Sequence, residues 1–368
     1  MNIINLFKSD NEDPSDITLT SQKLDTIESI PTYYVLDGKT MNYKLSDFYI
    51  TGSYNSYTPM GGTLSYNSLN QIRNVLLQGA RFLKLDIYDN DFSLELNNET
   101  IGFGNEPYVR GPKPYKIGNF KNNALKLDDC FSIIKEYAWD TEHNLPLILY
   151  LNLNYDKYNV KVSNKIANYI KNKFWDYYPD KKYCFYRYKI GNEDIENFLK
   201  KIIILTNREN NGKYLDEMTH GILYKDVPDS KFIQGYSYSE ILNNRGTPSN
   251  KFLIDKLIRK SKEDLVILFP ENDEKKNIIN PFSTLYNFNI NNLANTGINI
   301  ILMNYSLVDK NLNYYQSFFK NGGFKIKPNN LLNKNISNII IVKESEEKNQ
   351  KPIDITPVNK YGPNINSL

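Results

Sequence analysis

Short apolar runs alternate with longer stretches in which apolar residues recur every third or fourth position, and this rhythm begins at Phe48. Residues 48–53 read as a strand. Residues 67–78 carry Leu69, Ile72, Val75 and Leu76 at helical spacing, and Gly79 supplies the stop. Residues 81–88 are strand-like. Residues 128–138 predict an amphipathic helix with Phe131, Ile134 and Tyr137 on one side. Residues 146–153 and 201–206 are apolar almost throughout, as strands covered on both faces are, and 162–174 between them predicts a helix. Regularity returns with a helix at 251–259, a strand at 264–269, a helix at 283–294 and a strand at 298–304. A short helix at 20–30, ended by Pro31, precedes this series. Such alternation predicts an α/β fold with a parallel sheet, for which a closed barrel is the commonest large form.

Two regions break the rhythm. Residues 207–248 hold Gly212, Gly221, Gly235, Gly246 and Pro248 with little pattern, and read as a long excursion from the main fold. The tail beyond about Glu344 is polar, and it is expected to be mobile or to dock on a neighbour. No internal repeat is visible.

Composition narrows the classes. Hydrophobic residues make up 40% of the 368-residue chain and aromatic residues 13%, enough for a large core. A formal net charge of +3 lacks the basic excess of a nucleic-acid binder. No apolar run is long enough to cross a bilayer, and the first residues carry no apolar signal segment, so a protein that is not secreted is expected. Two cysteines, Cys130 and Cys184, and two histidines, His143 and His220, lack the spacing of a zinc site. Asparagine is abundant but interleaved with apolar runs, which points to AT-rich codon usage more than to a low-complexity segment.

Several motifs are more specific. Leu45-Ser46-Asp47-Phe48-Tyr49-Ile50-Thr51-Gly52-Ser53-Tyr54-Asn55-Ser56-Tyr57 is followed by Gly79-Ala80-Arg81-Phe82-Leu83-Lys84-Leu85-Asp86-Ile87-Tyr88-Asp89 and by Pro146-Leu147-Ile148-Leu149-Tyr150-Leu151-Asn152. Taken in order, they resemble the X region of phosphoinositide-specific phospholipase C. Phe269-Pro270, Asn280-Pro281, residues 297–305 and Asn321-Gly322-Gly323-Phe324-Lys325-Ile326-Lys327-Pro328 resemble its Y region. The resemblance implies a distorted TIM (β/α)₈ barrel. Its parts would be an N-terminal extension at 1–44, an X-like half at 45–208, a linker at 209–244, a Y-like half at 245–330 and a tail at 331–368, with no C2 domain following.

The chemistry of that family departs here residue by residue. Cleaving a phosphodiester through an internal hydroxyl needs a general base and a general acid, which the family supplies as two histidines. The first position is Tyr54, and a phenol with a reference pKa of about 10 is a poor base at neutral pH. The second falls near Arg110-Gly111-Pro112, with Pro112 at the degenerate position. His143 and His220 read as structural. The family's calcium ligands correspond to Asn55, Lys84, Asp86 and Asn152, so two carboxylates are gone and an ammonium has been gained. Lys84 and Asp86, two apart on a strand, share the face directed into the barrel mouth, where the ammonium is expected to fill the space of the metal and pair with Asp86. For substrate phosphates, Thr206 replaces one family lysine, leaving Arg208 and Lys275 as candidates.

These substitutions imply a phospholipase C-like barrel without catalysis or cofactor, acting as a structural or interaction protein among the protein partners of an assembly such as a virion, and residing in the cytoplasm or a virus particle. The alternatives are an active phosphodiesterase with Tyr54, Lys84, Asp86 and Asp89 in new roles, with calcium if the site functions, and a module that binds a phosphoinositide headgroup without turnover.

Overall fold

The computed structural model describes residues 43–59, 66–90, 104–111, 116–117, 120–121, 123–140, 144–225, 227, 232–243, 248–270, 287–290, 293–319 and 323–333. Eight parallel strands form the centre: β1 (Phe48–Ser53), β2 (Phe82–Tyr88), β3 (Leu147–Leu153), β4 (Ile202–Thr206), β5 (Gly221–Lys225), β6 (Ile233–Ser237), β7 (Val266–Phe269) and β8 (Ile300–Met303). Each pairs with the next, from Gly52↔Phe82 through Leu147↔Ile202, Leu205↔Gly221 and Gln234↔Val266 to Ile267↔Ile300. The last strand returns to the first at Ile50↔Ile300, which closes the cylinder. A short antiparallel strand, Phe324–Ile326, flanks β1, and Tyr108–Val109 with Leu125–Lys126 extends β2.

Strand alternation divides the core in two. Ile50, Phe82, Ile148, Ile203, Leu223, Ile267 and Leu302 point inward and fill the cylinder, whereas Leu83, Leu85, Leu149, Leu151, Ile204 and Leu268 point outward under the helices. Helix α1 (Leu69–Leu77) buries Ile72, Val75 and Leu76, and Gly79 beyond it adopts φ +84. Helix α2 (Leu127–Tyr137) buries Cys130, Phe131 and Ile134. Helix α3 (Val160–Phe174) is capped by Asn159, whose side chain accepts the Val162 N–H, and buries Ile166, Ile170 and Phe174. Helices α4 (Lys213–Glu217), α5 (Tyr238–Asn243), α6 (Pro248–Glu263) and α7 (Lys310–Phe318) complete the ring among the described residues.

The N-terminal end of the cylinder is plugged. Tyr183, Ile190, Ile195 and Phe198, from 3₁₀ turns between α3 and β4, join Leu45 and Phe48 beneath the strands, and Lys44 bridges Asp194 at 2.8 Å. Chemistry is therefore confined to the opposite, C-terminal end. No described helix is long and apolar enough to cross a membrane.

Two expectations are corrected. The excursion expected at 207–248, with the linker at 209–244 inside it, contains β5 and β6, two of the eight staves. Their inward positions are held partly by Gly221 and Gly235, against which neighbouring side chains pack, so the apolar run that betrays a buried strand is interrupted. The helix expected over 283–294 is not formed at 287–290, where irregular chain buries Phe288 and Ile290, and a 3₁₀ turn lies at Ala294–Thr296. The helix expected at 20–30 and the polar tail lie outside the described residues.

Candidate functional site

Along β2 every second side chain faces into the cylinder, so Phe82, Lys84 and Asp86 form one inward column. Phe82 belongs to the interior, and the two charged residues follow it towards the mouth. On the next stave Ile148, Tyr150 and Asn152 make the matching column, with Asp86 level with Asn152. The loop after β1 folds against β2: Ser56 N–H donates to the Lys84 carbonyl at 3.3 Å, and Ser56 Oγ accepts from Lys84 N–H at 3.2 Å. Asn55 turns that corner with φ +46, which sends its amide toward Lys84 and lets Tyr57 come back to Asp86.

The resulting network is closed. Lys84 Nζ lies 2.5 Å from Asp86 Oδ2 and donates to Asn55 Oδ1 at 3.0 Å. Asn152 Nδ2 donates to the other carboxylate oxygen at 2.6 Å, and the Tyr57 hydroxyl donates to Oδ2 at 2.7 Å. The Lys84 ammonium also sits over the Tyr54 ring, 4.7 Å from its centroid. Tyr54, Tyr150 and Phe269 surround the pair edge to face, with centroids 6.5 Å and 6.2 Å from Phe269. The side chains of Lys84 and Asp86 are only 8% and 11% exposed.

Burial drives the electrostatics. Desolvation pulls the Lys84 ammonium below its ordinary value, Asp86 opposes that shift, and the distant charge of Lys225 adds to it. Tyr57 is pushed well up, by burial first and then by Asp86, so its phenol stays a proton donor. Tyr150 is likewise raised by burial.

The X-domain profile described as "Phosphatidylinositol-specific phospholipase C, X domain" matches residues 41–208. Residues 41–208, a little under half of the chain, thus resemble the X domain of phosphatidylinositol-specific phospholipase C. A comparison with curated proteins finds no match. Two solved phospholipases share the barrel. PLC21 of L. pealei is 16% identical, with 79% of this chain and 38% of that one covered and a TM-score of 0.60. PLC21 of S. officinalis is 17% identical, with 82% and 39% covered and a TM-score of 0.60. The chain thus spans about two-fifths of the length of these relatives, and the likeness concerns the fold.

Against the phospholipase C pattern, the structure gathers Tyr54, Asn55, Lys84, Asp86 and Asn152 at one rim. These groups do not suit a hard divalent cation. One carboxylate is present, both of its oxygens are taken by donors, and an ammonium lies at hydrogen-bond distance from Asp86 and Asn55. Arg110 N–H donates to the Asp86 carbonyl at 3.2 Å, which brings the start of the 110–112 stretch beside the site, while Pro112 and Lys275 lie outside the described residues. Arg208, in the loop after β4, donates from Nη1 to the Tyr155 carbonyl at 2.6 Å and from Nε to Asn211 Oδ1 at 2.9 Å, while its buried Nη2 has no hydrogen-bond partner among the described residues. His220 is fully buried; its Nδ1 accepts the Ile204 N–H at 2.9 Å, and its ring lies 4.6 Å from Tyr178. His143 lies outside the described residues.

Sequence reasoning missed Tyr57, Tyr150, Phe269 and Lys225. Tyr150 and Phe269 were signalled by strand parity, since both fall on inward positions of strands read correctly. Lys225 was hidden because β5 was not read as a strand, and Tyr57 because only the folded loop returns it to Asp86.

Proposed function

We propose that this chain is a non-catalytic member of the phospholipase C family that serves as a structural or interaction protein. The observation that carries this reading is the position of the Lys84 ammonium, bonded to Asp86 and Asn55 where the family pattern calls for a calcium ion. A fixed internal cation satisfies the carboxylate, but it offers no exchangeable coordination position for a substrate oxygen. The absence of histidine at Tyr54 and in the 110–112 stretch removes the usual proton donor and acceptor as well. A barrel relieved of chemistry is still a rigid body with variable loops, suited to binding. A place in the cytoplasm or in a virus particle, as one subunit of an assembly, belongs to the same reading.

The deciding experiment incubates purified protein with phosphatidylinositol and with its bisphosphate, with calcium and with a chelator. No product above a protein-free control is expected in either condition. Calcium-stimulated turnover that disappears in Asp86→Asn would overturn the proposal and establish the phosphodiesterase alternative. Flotation with vesicles that carry or lack the phosphorylated headgroup separates the third reading, a headgroup-binding module.

A further inference from the structure

The loops that follow β3 and β4 are laced into one base. Arg208 donates from Nη1 to the Tyr155 carbonyl at 2.6 Å, and its guanidinium lies 4.8 Å from the Tyr155 ring centroid. Arg208 Nε donates to Asn211 Oδ1 at 2.9 Å, and Asn211 Nδ2 returns a bond of 2.7 Å to the Arg208 carbonyl. The Asn211 N–H is held by Asp216 at 3.1 Å, and the Tyr155 and Ser163 hydroxyls are bonded at 3.0 Å. Asn159 anchors the other side through Asp89 at 3.0 Å and the Gly104 carbonyl at 2.8 Å. The starts of α3 and α4 lie side by side, since a Cβ added at Gly212 would lie 3.6 Å from Val160 Cγ1.

On this pinned base stand three apolar side chains with little cover. Tyr158 is 77% exposed, Tyr214 58% and Val160 47%. Exposed lysines lie among them: Lys157, whose Nζ is 4.9 Å from the Tyr158 ring centroid, Lys161 and Lys213. One exposed acid, Asp156, lies in the same stretch and accepts the Tyr158 N–H at 2.8 Å, so the three lysines outnumber it. Single exposed aromatics are ordinary, but two on adjacent rigid loops, interleaved with lysines, form a surface ready to bind.

We propose that this face docks an acidic segment of a partner protein. The three lysines supply the complementary charge, which speeds and orients the encounter. Tyrosine gives large contact area with few rotatable bonds, and the laced base removes most of the ordering cost of binding. Two phenols, each with a polar hydroxyl, and one valine make too thin an apolar layer to anchor a lipid surface, where Trp, Phe and Leu carry insertion. The inference rests on the interaction-protein reading and adds the face and the charge of the partner. Its failure is separable from the failure of that reading, because turnover of phosphatidylinositol is measured independently.

The test pans the full chain against a random library of short peptides. Enrichment of Asp- and Glu-rich sequences is expected, with binding that weakens as salt rises. Affinity for the enriched peptides should fall by about tenfold or more in Tyr158→Ser/Tyr214→Ser and again in Lys157→Glu/Lys213→Glu. Both variants change exposed side chains and should keep the thermal midpoint, and Lys181→Ser/Lys200→Ser, elsewhere on the surface, should bind as the parent does. Absence of acidic enrichment, or equal binding by either test variant, overturns the proposal. So does binding of the parent, but not of the variants, to phosphatidylserine vesicles without any peptide preference, which would assign the face to a lipid surface.

Discussion

Lys84 and Asp86 are a nearly dry ion pair, and such pairs are expensive to break from one side. Removing the ammonium leaves a carboxylate facing Tyr54, Tyr150 and Phe269 with only Asn152 and Tyr57 as donors. Lys84→Met is therefore expected to lower unfolding stability by about 3 kcal/mol in urea titrations, whereas Lys84→Met/Asp86→Leu should recover most of that loss. A double variant whose loss equals the sum of the Lys84→Met and Asp86→Leu losses would show that the pair is not coupled. His220 gives a second expectation at this scale. Burial lowers its pKa from 6.5 to about 3, and the Ile204 N–H bond to Nδ1 also requires the neutral ring. The unfolded chain binds a proton below the ordinary value while the folded chain does not, so this group withdraws stability as pH falls from 6.5 towards 3. Between pH 7 and about 4.5 the loss should approach about 3 kcal/mol, and His220→Gln should flatten that slope in denaturation curves taken at stepped pH. An unchanged slope would assign the acid sensitivity to other groups. The pairing of Lys84 with Asp86 was legible in advance because strand parity alone puts both on one face. The acceptor role of His220 was not, since it depends on β5 lying beside β4.

At the scale of elements, the strands that announce themselves are those whose two faces are both apolar: residues 147–153 read LILYLNL and residues 202–206 read IIILT. Strands β5 and β6, GILYK and IQGYS, are short and broken by glycine, and the sequence between them carries no helical spacing to mark a βα repeat. Those glycines answer to the cylinder's interior. A Cβ at Gly235 would come within 2.7 Å of the Phe269 ring, and one at Gly52 within 2.6 Å of Leu302 Cδ2. The large side chains on neighbouring staves fill the space the glycines leave, so size is complementary across strands and no single strand's sequence displays it. Gly235→Val is expected to cost about 2 kcal/mol by overpacking, and the additional change Phe269→Leu should return part of it. Chemical denaturation of the two variants checks this, and a neutral Gly235→Val would mean that β6 does not face Phe269. Helices α1, α2 and α3 were easier to read because their apolar spacing needs no neighbour to be recognised, and they fall within two residues of the expected bounds.

For the molecule as a whole, the decisive contact is the return of β8 to β1. The region matched by the X-domain profile, 41–208, contains β1 to β4, half of the staves. Cut at that boundary, β4 would lose β5, and β1 would lose both β8 and the flanking strand Phe324–Ile326. Two strand edges would open, and the inward side chains Ile50, Ile203 and Leu205 would lose Leu302, Leu223 and Ile267 across the cylinder. The plug would survive, because Leu45, Phe48, Tyr183, Ile190, Ile195 and Phe198 all lie within the segment, but it would cap half a cylinder. The matched region is thus a unit of sequence and not a unit of folding. Residues 41–208 expressed alone should show no cooperative urea transition and should bind a hydrophobic dye, while the full chain unfolds in one step. Supplying residues 209–338 as a second chain during refolding should restore a cooperative transition, because the missing staves carry the pairing partners of both open edges. A sharp, dye-free transition for the isolated segment would mean that the X region folds without closing the barrel. The Lys84–Asp86 site would then owe its geometry to β1, β2 and β3 alone.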